Sequence, residues 1–228
     1  MPVYLLSDDL IFPPPEEAEP DGLLAIGGDL SVERLLLAYR LGIFPWYAEN
    51  SPILWWSPDP RLILVPQNLK IPVSLRKALK RVGFTLTVDK QFESVIWGCA
   101  KVERKGGNGT WIVSDMIEAY CRLHEAGLAH SVETWLEGTL VGGLYGVSLG
   151  KCFFGESMFH IVPNASKAAL VYLAELLQTW GFGMIDCQMT TEHLLRFGAH
   201  EIPRRQFLEH LGDLLQNETR LAPWSLPE

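Results

Sequence analysis

Apolar and polar positions follow different periods along this chain. From Ser31, the stretch VERLLLAYRL repeats at helical spacing, with Ser31 placed to cap its start and Gly42 its end. The unbroken apolar run RLILV predicts a strand, and IPVSLRKALKRVG predicts a short helix. Arg76, Lys77, Lys80 and Arg81 stand at i, i+1, i+4 and i+5 of that helix and share one face. Asp89 is placed to cap a helix through KQFESVIWGCA, and Ser114 one that ends at Gly127. Beyond residue 129 the pattern turns to strands. HSVETWL, TLVGGLYGVSL and CFFGESMF, separated by the turns EG and GK, predict a three-strand meander. NASKAALVYLAELLQTWG predicts an amphipathic helix capped by Asn164 or Ser166; FGMIDC predicts a strand and TEHLLRFG a short helix. The prolines of FPPPEEAEP bar it from helix and central strand, which predicts an extended surface arm. A meander, a long helix, another strand and a helix make an α+β layered sheet. The change of pattern divides the chain into a smaller N-terminal domain, 1–109, helical between Lys70 and Gly109, and a second domain, 110–228.

Composition narrows this picture. The 228 residues are 48% apolar, enough for a sizeable core. No apolar run approaches the roughly 18 residues that span a bilayer. The first residues show no basic leader or cleavage site, so a cytosolic protein is expected. Cys99, Cys121, Cys152 and Cys187 are far apart, as reduced thiols would be, and six scattered histidines show no ligand spacing, so no metal is expected. A net charge of −8 argues against a general nucleic-acid binder. Yet nine of the 19 basic residues fall between Lys70 and Lys105, opposed only by Asp89, Glu93 and Glu103. That block is either a solvated helix face or a local phosphate-binding face.

Three places offer chemistry. In GMIDCQ a strand ends in a carboxylate, a thiol and an amide. Strand alternation puts Asp186 and Gln188 on one face and Cys187 on the other with Ile185, which gives the thiol a packing role. Asp186 then orients the Gln188 amide or acts as a weak base through it; the alternative is a satisfied structural pair. In CFFGESMF, Glu156 follows a glycine inside an apolar strand, where an ionised carboxylate is costly unless paired. A bulge at Gly155 would suit a binding site; otherwise Glu156 is paired with Lys167 or an arginine. Trp46, Trp111 and Tyr120 are candidates for stacking a flat ring, against a plain packing role.

These pieces together resemble the leucyl/phenylalanyl-tRNA–protein transferases. The resemblance runs through GLLAIGGDLS, GIFPW, ILWWSPDPR, GTWI, EAYCRLHEAGLAHSVE, LVGGLYGV, FFGESMF, NASKAAL, IDCQ and GAHEIPRR, in order along nearly the whole chain. It implies a cytoplasmic enzyme that moves Leu or Phe from aminoacyl-tRNA to the N-terminal Arg or Lys of a protein, in N-end rule tagging. The C-terminal domain would have an N-acetyltransferase-like mixed sheet. No cofactor, metal or membrane is implied, and nothing demands a partner surface, so a monomer is expected. Gln188 would position the attacking amine, with Asp186 orienting Gln188 or drawing off the proton, and Glu156 and Asp186 would bind the acceptor's N-terminal residue. Leu144, Phe153, Met158, Leu170 and Ile185 would wall the aminoacyl pocket. The sequence departs from the family pattern in Leu144, where methionine is expected, and in Leu173, where an aromatic is. Trp46, Trp111 and nearby Tyr120 would meet the terminal adenosine, and Arg76, Lys77, Lys80 and Arg81 the acceptor stem.

Two other functions compete. An acyl-CoA N-acetyltransferase needs a glycine-rich pyrophosphate loop before the long helix, and the junction here reads HIVPNASKAAL. A non-catalytic tRNA-binding module would use the same acids only to bind.

Overall fold

The computed structural model describes residues 3–102 and 112–224. Two sheets organise it. The smaller has four short strands in the order β1-β2-β4-β3 (Tyr4–Leu6, Leu23–Gly27, Leu54–Trp56, Phe44–Pro45), with α1 (Val32–Arg40) between β2 and β3. The Ser31 side chain caps α1 by accepting from the Arg34 N–H, as the sequence predicts. The larger sheet has seven strands in the order β11-β5-β10-β9-β8-β7-β6. In chain order these are β5 (Arg61–Leu64), β6 (Thr85–Val88), β7 (Ala129–Leu136), β8 (Thr139–Leu149), β9 (Cys152–His160), β10 (Met184–Gln188) and β11 (His200–Ile202).

The expected meander is β7-β8-β9, all antiparallel. β9 and β10 are parallel, which demands a crossover, supplied by α5 (Ala165–Thr179). α2 (Val73–Val82), α3 (Phe92–Ala100), α4 (Ser114–Glu125), α6 (Glu192–Leu195) and α7 (Arg204–Leu214) complete the chain. The sheet is mixed and the fold is α+β. Its two faces carry separate cores. Phe154 and Met184 join the cluster of Ala38, Ile96, Tyr120 and Phe207; their neighbours Phe153 and Ile185 join Leu144, Leu170 and Trp224. Among the described residues no helix is long and apolar enough to cross a membrane.

Several local expectations need correction. The stretch 70–109 is not simply helical: it contains β6, which pairs with β7 at the sheet edge. The larger sheet therefore takes β5 and β6 from before residue 110 and its other strands from after it. The proline arm turns through a 3-10 helix at Pro15–Glu17, with Pro15 and Ala18 buried. Asp89 caps nothing; its carboxylate serves His130, Ser131 and Trp224, which are remote in sequence. Ser114 is the first residue of α4 rather than its cap. Asn164 stands at the N-cap of α5, one of the two expected positions, but its side chain makes no capping bond: it takes a left-handed conformation, φ 72°, and accepts from Lys167. At Asp89, tertiary partners outrank local capping.

Candidate active site

Two irregularities on neighbouring strands create the site. On β9, Gly155 pairs with Gly146 and Ser157 with Tyr145, which leaves Glu156 as the extra residue of a β-bulge. The close backbone approach lies across the ladder, at Gly146. A Cβ there would come within 2.1 Å of the Phe154 carbonyl and 2.6 Å of the Phe153 ring. On β10, the register to β5 shifts between Asp186 and Gln188, and Gln188 has φ 62°. This second bulge breaks the simple alternation on which the same-face reading of Asp186 and Gln188 rests. Gln188 turns to the side of Ile185 and Cys187, and all three line one cavity; Asp186 does not.

Asp186 is fully buried and receives a two-pronged contact from Arg61, Nε to Oδ1 at 2.9 Å and Nη2 to Oδ2 at 2.7 Å. The guanidinium sits between the Phe44 and Phe207 rings, 4.8 and 4.6 Å from their centroids. Asp186 does hold Gln188, but by the backbone: the Gln188 N–H donates to Oδ1 at 2.9 Å. Its oxygens face Arg61 and it is absent from the cavity lining, so the structure does not bring it into the cavity with Glu156.

Glu156 is the carboxylate that reaches the cavity. Its Oε1 accepts from Tyr39 Oη at 2.8 Å and from Gln188 Nε2 at 2.9 Å, and its Oε2 accepts from Tyr120 Oη at 3.0 Å. The Tyr39 and Tyr120 hydroxyls also meet each other; each carries one proton, so this contact is a hydrogen bond when one of them donates to the other rather than to Glu156. No cation is needed to satisfy Glu156, and Lys167 is turned to Asn164 at 2.9 Å. Burial pushes the Glu156 carboxyl up to about 7, with hydrogen bonds from Tyr39 and Tyr120 opposing the shift and the Asp186 charge adding to it. Three neutral donors thus hold a carboxyl that titrates near neutrality.

The cavity measures about 530 Å³. Leu144, Phe153, Met158, Leu170 and Ile185 all line it, joined by Leu173; Phe44, Pro45 and Trp46 stand on one side and Met189, His193 and Leu194 on another. Cys187 is half-buried in its wall. Burial and the Asp186 charge push its thiol far up, so it supplies no thiolate nucleophile. Tyr120 is completely buried and is not brought into the cavity lining with Trp46. Trp111, with Arg104 and Lys105, lies outside the described residues. Arg76, Lys77, Lys80 and Arg81 are all exposed on α2, outside the cavity lining. Sequence reasoning missed Tyr39 and Arg61. Tyr39 reads as an ordinary core position of an amphipathic helix, whereas Arg61 left a signal: a charge at the head of an apolar strand. Among the described residues no group of three His, Cys, Asp or Glu side chains is arranged to hold a metal ion.

Comparison with known proteins gives this site its class: the chain is an aminoacyltransferase. The sequence pattern of the leucyl/phenylalanyl-tRNA protein transferase matches residues 63–212, and that of the same proteins' N-terminal domain matches residues 28–59. The chain belongs to the leucyl/phenylalanyl-tRNA protein transferase family. Its relatives of that name include proteins of Syntrophobacter fumaroxidans, 58% identical over 98% of this chain and 96% of theirs, and Myxococcus xanthus, 56% identical over 99% and 97%. Among solved structures it is similar to an aminoglycoside acetyltransferase from an uncultured soil metagenomic sample, at 15% identity and a TM-score of 0.40 over 53% of this chain and 87% of that one. It is also similar to L-PGS from Bacillus licheniformis, at 14% identity and a TM-score of 0.41 over 86% and 66%.

Proposed function

We propose that this protein transfers leucine or phenylalanine from aminoacyl-tRNA to the N-terminal Arg or Lys of a protein, acting as a monomer in the cytoplasm and marking that protein for degradation. The observation that carries the reading is the Gln188–Glu156 contact, 2.9 Å long, set in the lining of an apolar cavity. Leu144, Phe153, Met158, Leu170 and Ile185 take the aminoacyl side chain, and Trp46 stacks the terminal adenosine with Trp111. Contact with the acceptor stem falls to the exposed Arg76, Lys77, Lys80 and Arg81, in the domain before residue 110. Catalysis falls mainly to the domain after it. Binding along the stem is through phosphates, hence salt-dependent and weakly sequence-specific.

Aminoacyl-tRNA is an activated ester, so no further energy source is required. The reaction forms a C–N bond to the acceptor's α-amine and breaks the ester C–O bond, returning the terminal hydroxyl to the tRNA. Gln188 donates one amide N–H to Glu156, which turns its carbonyl oxygen away from Glu156 and toward an incoming amine. Asp186 acts through Gln188 by fixing its backbone. Glu156 holds the cationic end of the acceptor and draws the surplus proton from its ammonium. Holding amine and ester together can itself contribute up to about 7–11 kcal/mol of the barrier. A single-turnover assay with leucyl- or phenylalanyl-tRNA and peptides beginning with Arg, Lys or Ala tests this. Transfer to the Arg and Lys peptides alone is expected. Transfer of acetyl from acetyl-CoA, or binding of charged tRNA without transfer, would sink it.

A further inference from the structure

Trp224, on the segment after α7, takes no part in the cavity lining, yet it packs against a residue that does. Its ring is 6.0 Å from that of Phe153, centroid to centroid. We propose that Trp224 is a positioning residue for the donor pocket: it backs the Phe153 ring and thereby sets how large an aminoacyl side chain the pocket accepts. This rests on the reading of the cavity as the aminoacyl site.

The seat of Trp224 is built from several directions. The ring is 3% exposed and stacks on His130 at 3.7 Å, with an interplanar angle of 13°. Trp180 meets it edge-on at 4.9 Å. Its backbone N–H donates to Asp89 Oδ2 at 2.8 Å, and its Nε1 donates to the Arg220 carbonyl at 3.0 Å. Two residues earlier, the Ala222 N–H donates to the Gly127 carbonyl at 2.9 Å. Asp89 in turn fixes the stacking partner: His130 Nδ1 lies 2.9 Å from Oδ2, and the Ser131 N–H donates to Oδ1 at 3.0 Å. The Phe153 ring also lies against Gly146, where even a Cβ would come within 2.6 Å. Gly146 and Trp224 both stand against the ring. Interiors at crystal-like packing density transmit such constraints directly. Shortening Trp224 gives Phe153 room to withdraw and deepens the pocket without removing any group that lines it.

The test uses minimal aminoacyl-adenosine donors carrying Leu, Phe or Trp, with the full-length wild type and Trp224→Phe, Trp224→Leu and Trp224→Ala. Folding is checked by thermal melts. The ratio of kcat/KM for the Phe donor over the Trp donor is expected to fall by about tenfold in Trp224→Ala, within the range one methylene-sized change of pocket shape produces. The fall should be smaller in Trp224→Leu and nearly absent in Trp224→Phe, with acceptor KM unchanged throughout. An unchanged ratio in folded Trp224→Leu or Trp224→Ala overturns the proposal. So does failure of both to fold, which would make Trp224 a requirement of the fold rather than a support for the pocket. A wild type that uses neither the Leu nor the Phe donor brings down the donor-pocket reading itself, and this inference with it.

Discussion

Asp186 and Glu156 are both buried carboxyls, on adjacent strands, and their partners differ in kind. Asp186 faces the fork of Arg61, with side chains 0% and 1% exposed. Glu156 faces Tyr39, Tyr120 and Gln188, all neutral. Hydrogen-bond satisfaction is similar in the two cases, but charge satisfaction is not. A guanidinium gives Asp186 a buried partner of opposite charge, and removing either member would leave the other uncompensated. Neutral donors leave the proton on Glu156 free to come and go near pH 7. One acid is thereby suited to anchoring the β10 bulge, and the other to meeting a substrate that brings its own positive charge.

Breaking the anchor should have the largest effect. Arg61→Ala leaves Asp186 buried without a partner of opposite charge, which costs about 3–5 kcal/mol of stability, to be read from urea denaturation. Arg61→Lys keeps the charge but loses the fork geometry, and should fall between the two. A variant as stable as wild type would show that Asp186 is held by something other than charge. Next, Gln188→Ala should lower kcat by about 10²–10³-fold, the scale for one transition-state group, while leaving aminoacyl-tRNA affinity nearly unchanged. Equal loss of binding and turnover would give Gln188 a binding role only.

The contrast between the two acids was only half legible in the sequence. IDCQ and FFGESMF stand out as polar residues in apolar strands, and the family resemblance supplied the pocket walls. The β7–β8–β9 meander and the helical span of α5 were readable because turn residues and helical spacing are local. The pairing of Asp186 with Gln188 was misread because a parity rule assumes an unbroken period of two, and the bulge at Cys187 arises from β10 fitting β5. The partners of the acids come from far away: Arg61 lies 125 residues before Asp186, and Tyr39 lies 117 before Glu156. Asp89 failed as a cap for the same reason, since His130 and Trp224 claim it from 41 and 135 residues off. Local sequence shows that a carboxylate needs an explanation and leaves open which distant side chain provides it.

The titratable half of the comparison makes a prediction with a definite sign. Well below pH 4.5, Glu156 is protonated in folded and unfolded chains alike. Between 4.5 and about 7 the unfolded chain gives up its proton first, so folded stability falls as pH rises. The slope approaches about 1.4 kcal/mol per pH unit. Glu156→Gln should remove this component, so the difference in Tm between variant and wild type should shift in favour of the variant from pH 5 to 7. Acceptor KM for Arg- and Lys-initiated peptides should rise in the same variant more than donor KM. A pH-independent difference in Tm would show that the Glu156 carboxyl titrates alike in the folded and unfolded chains.

The smallest effect is expected where chemical intuition looks first. Cys187 stands between Asp186 and Gln188 and lines the cavity, so a thiol reagent that reached it would fill that cavity and obstruct it whatever the sulfur does. Only substitution separates obstruction from chemistry. The thiol holds its proton far more tightly than a free cysteine because it is buried beside the Asp186 charge, and its Sγ makes one long contact, 3.7 Å to the Ile185 carbonyl. Cys187→Ala removes a small half-buried group and leaves the Asp186–Gln188 backbone contact in place. It should cost less than about 1 kcal/mol and retain most of the transfer activity, with any change confined to donor KM. A collapse of kcat in a folded Cys187→Ala protein would move the nucleophilic chemistry onto the sulfur and make the two carboxylates supporting groups.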